Sequence, residues 1–216
     1  MSADYIDLYC ERTAPGLLGE PLNTLGNVAF VVATLWLVRR LLRESDVKRD
    51  DWLLVVLAGL VGIGSIAFHL FATRTTALLD QAFIGLFVIV FVQRWLVRVV
   101  GIGTIASVAG VAVFVAVTIG TRLMVPREIL NGSVFYLPIF LVIASMALWA
   151  ARRRHPSARI AIGMVAVFIP ALVVRTIDLA ACDVLPVGTH WLWHVSAAIV
   201  VAMACRTLRT GRTAAR

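Results

Sequence analysis

Residues 52–73 read WLLVVLAGLVGIGSIAFHLFAT, a run with no Asp, Glu, Lys or Arg. About 20 predominantly apolar residues carry an α-helix across the hydrocarbon layer of a bilayer. In lipid the backbone amides and carbonyls of such a run must be satisfied within the segment, which selects the helix. Six more segments outward from this one have the same character: 22–38, 76–96, 99–121, 129–151, 160–181 and 188–205. The 216-residue chain is 61% hydrophobic with a mean hydropathy of +0.93, where a soluble domain is about 45–50% apolar. The reading is an all-α membrane protein, a bundle of seven transmembrane helices. No internal repeat, low-complexity stretch or soluble appendage interrupts it, so residues 1–216 are read as one domain, with 1–21 as a polar N-terminal segment.

The net charge of +8 would suit nucleic acid, but its distribution points to topology. With the N-terminus outside, the inner loops and tail carry Arg39, Arg40, Arg43, Lys48, Arg49, Arg94, Arg98, Arg152, Arg153, Arg154, Arg159, Arg206, Arg209, Arg212 and Arg216. The outer side carries Arg12, Arg74, Arg122, Arg127 and Arg175. Fifteen basic residues against five follow the positive-inside rule loop by loop. The C-terminus is then inside, and anionic lipid headgroups are the natural contact of the inner charges. The first 21 residues have neither the basic nor the apolar region of a secretory signal, so the first helix is expected to direct insertion.

Pro21 suits the first turn of a helix. Asn131-Gly132 marks a turn, and His155-Pro156-Ser157 opens the sixth segment. Pro138 and Pro170 are expected inside the fifth and sixth helices, kinking both. Cys10 and Cys182 fall on the outer side, where thiols meet an oxidising compartment. Two readings of that pair stay open, a disulfide or two unpaired thiols. Cys205 lies near the inner end.

Ionisable side chains inside membrane segments are costly and mark functional sites. The second segment runs outward and ends near Ser65 and His69. The third begins outside, which puts Asp80 near its outer end, and the sixth ends with Arg175 and Asp178. The seventh begins with Thr189, His190, Trp191, Leu192, Trp193 and His194. Topology thus gathers these groups in one layer and excludes His155, which lies in an inner loop. Residues four apart share a helix face, so His190 and His194 can face one ion, and Ser65 sits one turn below His69. Three imidazoles with an open fourth position form the donor set of a catalytic zinc. Asp80 is placed to orient a ligand or take a proton from water, with Asp178 next in line.

Three blocks carry a resemblance to a known family: Asp7-Leu8-Tyr9-Cys10-Glu11-Arg12 followed by Glu20-Pro21-Leu22-Asn23-Thr24-Leu25-Gly26-Asn27; Gly64-Ser65-Ile66-Ala67-Phe68-His69 with Leu78-Leu79-Asp80; and Ile177-Asp178 with Cys182, then Gly188-Thr189-His190-Trp191-Leu192-Trp193-His194. The chain resembles the alkaline ceramidases, in the superfamily that also holds the adiponectin/progestin-type receptors and the hydrolases that remodel lipid anchors. The resemblance implies an amidase that cleaves the N-acyl bond of a ceramide-like membrane lipid to a sphingoid base and a fatty acid. It implies zinc on His69, His190 and His194, Asp80 acting on the attacking water, and Ser65 steadying the developing oxyanion. It also implies a calcium site on Asp7, Glu11 and Glu20, with Asp4 in the same acidic run, and it supports pairing Cys10 with Cys182. The sequence departs from the animal pattern in one extra residue between Asp7 and Glu11 and in Thr13, where a side-chain amide is expected.

Three other functions fit parts of the pattern. A zinc-dependent esterase or lipase on another membrane lipid would use the same residues, since the motif sees a carbonyl rather than its leaving group. A seven-helix receptor or transporter would hold the metal structurally. A serine hydrolase on Ser65, His69 and Asp80 leaves His190 and His194 without a role. A retinal protein is excluded: the only lysine, Lys48, lies in a loop, so no helix offers a Schiff-base amine.

Overall fold

The computed structural model describes residues 5–14, 16 and 18–210; Asp4, Arg212 and Arg216 lie outside the described residues. The described residues form α1 (Pro21–Gly26), α2 (Val28–Arg43), α3 (Arg49–Phe71), α4 (Arg74–Trp95), α5 (Thr104–Met124), α6 (Leu137–Arg152), α7 (Ala158–Thr176) and α8 (His190–Thr210). α1 and α2 run on through Asn27, and a π-turn, Leu96–Val100, extends α4. Seven spans among the described residues are long and apolar enough to cross a membrane, as the sequence indicates. α3 packs along α4, α7 along α8 and α6, and α2 against both α3 and α8.

Exposed apolar side chains, such as Ile105, Val113, Val117 and Leu123 on α5, are the expected outer surface of a protein whose solvent is lipid. Two sequence readings change at the helix ends. Pro138 is in the first turn of a helix rather than its interior: a 3-10 stretch, Ile129–Tyr136, has left-handed backbone at Leu130, Asn131 and Gly132, and α6 begins at Leu137. A proline there loses no hydrogen bond, so no kink arises. The sixth membrane helix stops at Thr176, short of the expected 181, and a separate 3-10 turn, Leu179–Ala181, follows. Pro170 does lie inside α7.

The helices are locked at one end of the bundle by ion pairs. Arg98 bonds Asp51 at 2.7 Å and also Asp50, while Arg209 bonds Asp51 at 2.9 Å and also Glu44. Some of the arginines that signal topology therefore also tie α3 to α8 and to the π-turn.

The other end is built around close approaches. A Cβ on Gly64 would lie 2.8 Å from the Phe83 ring and 3.1 Å from the Asp80 Cα, so glycine lets α3 press onto α4 at the level of Asp80. Ala72, left-handed with φ 48, stops α3 and accepts Ile6 N–H at 2.8 Å. Thr73 then caps α4 by accepting Thr76 N–H. The N-terminal segment is thereby laid across the α3–α4 turn.

Candidate metal centre

His69 lies in the last turn of α3, and His190 and His194 lie in the first two turns of α8. All three are buried, at 1%, 2% and 5% exposure, and each offers a ligand atom within 4.8 Å of those of the other two. Their rings converge, with centroids 4.6 Å apart for His69–His194 and for His190–His194. His155 is elsewhere, bonded to Ser157 Oγ at 2.8 Å in the α6–α7 turn.

The donor set fits a metal ion on its own chemistry. His190 Nδ1 and His194 Nε2 are buried with no hydrogen-bond partner, an arrangement that is costly unless something satisfies them. His69 Nδ1 contacts Glu20, and His194 Nδ1 faces Ser65 Oγ at 3.4 Å. Metal-binding histidines commonly use the second ring nitrogen in this way. His69 Nε2 and His194 Nε2 are then the nitrogens left for an ion.

Ser65 and Asp80 join the three histidines in lining a largely apolar cavity of about 90 Å³. Asp80 Oδ1 is buried and unpartnered. The cavity follows α8 from His190 to Ala204 and α4 from Asp80 to Val92, a depth of roughly 20 Å at 1.5 Å per residue.

The N-terminal segment closes the centre in ways the sequence does not reveal. Tyr9 stacks on His190, with centroids 3.7 Å apart, and burial pushes its hydroxyl above its ordinary pKa against the field of Arg175. Arg12, 4% exposed, bonds Glu20 and donates to the His69 carbonyl at 2.6 Å. Burial would raise the Glu20 carboxyl, but His69, Asn23 and Arg12 outweigh it and hold it below the usual range. The cue in the sequence was a cation, Arg12, within the acidic run.

Two of the three acidic residues expected to hold calcium have other partners. Glu11 accepts Leu22 N–H at 2.6 Å and Asn23 N–H at 2.7 Å, capping α1, where negative charge is favoured. Glu20 serves Arg12, His69 and Asn23. Asp7 is exposed, and no group of three acidic ligands forms among the described residues. This arrangement does not fit a calcium ion, which takes 6–8 oxygens.

A family model described as Ceramidase matches residues 8–215. The chain belongs to the ceramidase family. No individual curated protein matches it. The family is one of hydrolases, and the match runs from the N-terminal segment through α8, so it includes every residue of the ceramidase-family centre described above.

Asp178 has a different place in this ceramidase-family chain from the reserve proton carrier considered for it. It is fully buried. Oδ1 accepts Thr189 N–H at 2.7 Å and His190 N–H at 2.9 Å, and Oδ2 accepts Cys10 N–H at 3.0 Å. It therefore caps the helix that carries two of the histidines. Gly188 makes this possible: its φ is +61, and a Cβ there would collide with Asp178 Oδ1. The Cys10–Cys182 disulfide, with Cα atoms 5.4 Å apart, fastens the same corner. Replacing a helix cap by alanine costs about 0.5–2 kcal/mol. Asp178→Ala is expected to lower stability by at least that much and to speed loss of metal on dilution. Thermal unfolding and metal retention check this; a variant that matches the parent in both would remove Asp178 from the support of α8.

Proposed function

We propose that this protein hydrolyses the N-acyl amide bond of ceramide-like lipids to a sphingoid base and a fatty acid, with zinc held by His69, His190 and His194. The observation that carries the proposal is the convergence of three buried imidazoles, Asp80 and Ser65 on one largely apolar cavity. Zinc, when bound, polarises a carbonyl oxygen and brings the pKa of water to about 7.

The chain's own residues supply the rest. The apolar walls along α4 and α8 take a lipid chain and leave the amide at the histidines. Asp80 Oδ1, free of other partners, accepts the proton of the attacking water and returns it to the departing amine nitrogen as the C–N bond breaks. Ser65 accepts from His194 Nδ1–H, which fixes that ring, and its own hydroxyl hydrogen is free to donate to the developing oxyanion. Glu20 fixes the His69 ring in the same way. Residues 1–216 act as one domain, and the histidine end faces the non-cytoplasmic side, as the basic residues indicate.

The test is a panel of N-acyl and O-acyl lipids given to purified protein, with and without chelator, and read by mass spectrometry. The expected result is chelator-sensitive release of fatty acid from ceramides and indifference to a serine-directed reagent. Exclusive turnover of O-acyl lipids would make the protein an esterase, and chelator-resistant, reagent-sensitive turnover would make it a serine hydrolase.

A further inference from the structure

A second cavity, of about 460 Å³, opens at the end of the bundle opposite the histidines, between α2, α3 and α8. Among the described residues four arginines line it, Arg40, Arg43, Arg206 and Arg209, and two carboxylates, Glu44 and Asp51. Both are already shared. Glu44 binds Arg40 at 3.0 Å as well as Arg209, and Asp51 binds Arg209 while also serving Arg98 from outside the cavity.

Arg40 and Arg206 converge on a single ring, lying 5.3 and 5.7 Å from the centroid of Trp36. Neither Arg43 nor Arg206 has a carboxylate partner among the described residues. Like charges gathered this closely repel, and guanidinium forks match a phosphate bidentately. The floor is apolar, made by Leu37, Leu41, Leu54 and Val55. A free inorganic anion has no use for such a floor, whereas the glycerol and upper acyl carbons of a lipid do. The cavity also lies at the ends of three spans long and apolar enough to cross a membrane, those of α2, α3 and α8.

The geometry points to a binding site for the phosphate headgroup of an anionic phospholipid at this end of the protein, separate from the hydrolytic centre. Basic pockets between membrane helices recognise lipid phosphates in this way.

The experiment is native mass spectrometry of the full chain, released from vesicles of phosphatidylglycerol and phosphatidylcholine in equal amounts. The parent is expected to retain phosphatidylglycerol preferentially. Arg43→Gln with Arg206→Gln should weaken that retention about thirtyfold, from the loss of two surface-facing charges. Arg152→Gln with Arg153→Gln, outside the cavity, should leave it unchanged. Inorganic phosphate at millimolar concentration should not displace the lipid. Equal retention of both lipids by the parent would overturn the proposal without reference to any variant. So would equal losses in the two double variants, which indicate diffuse charge. Displacement by inorganic phosphate would make this a soluble-anion site instead.

Discussion

Asp80→Asn is expected to keep its metal and lose about 10²–10⁴-fold in hydrolysis, the usual cost of removing a general base. Asp80 is 8% exposed and lines the cavity, and its Oδ1 has no partner. It is not one of the three converging histidines, so metal content should stay at the parent's level. Asparagine keeps the size and shape of the side chain but cannot take up a proton. Turnover numbers on a ceramide, with elemental analysis of the same preparation, check both halves. Near-normal turnover would leave the mechanism without a base, because both oxygens of Asp178 are taken by three backbone amides.

Glu20→Gln is expected to destabilise the protein by about 3–5 kcal/mol, the cost of stranding one partner of a buried ion pair. The stranded group is Arg12, whose side chain is fully buried. The same change removes the carboxylate from His69 Nδ1, and losing such an outer partner weakens metal binding about 10–100-fold. Chemical unfolding in detergent and a zinc titration measure the two effects. Arg12→Gln added to Glu20→Gln should recover part of the stability, since the pair is coupled. Because Arg12 already supplies the positive charge, the parent should be indifferent to calcium from chelated to millimolar levels. A calcium-dependent rise in the parent's melting temperature, absent in Glu20→Gln, would return Asp7, Glu11 and Glu20 to the role the resemblance implies.

The residues that the sequence made legible are those governed by periodicity and charge. Ser65, His69, Asp80, His190 and His194 lie on continuous apolar segments whose direction follows from the loop arginines, so their common depth could be read directly. Their support could not. Glu20 reaches His69 and Arg12 reaches the His69 carbonyl across 49 and 57 residues, from a segment with no repeating pattern. Asp178 had the right depth but gave no sign that the Thr189 and His190 amides would use its oxygens. Pro138 fits a helix interior or a helix start equally well by composition. The left-handed backbone at Leu130, Asn131 and Gly132 decided for the start, with Asn131-Gly132 as its only local cue.

The proposed hydrolysis depends on His69, His190 and His194 together holding one zinc ion. The most direct measurement is elemental analysis of protein purified without exposure to chelator, alongside His194→Ala. About one zinc per chain is expected in the parent and little in the variant. A parent preparation containing no transition metal, yet turning over ceramide, would contradict it.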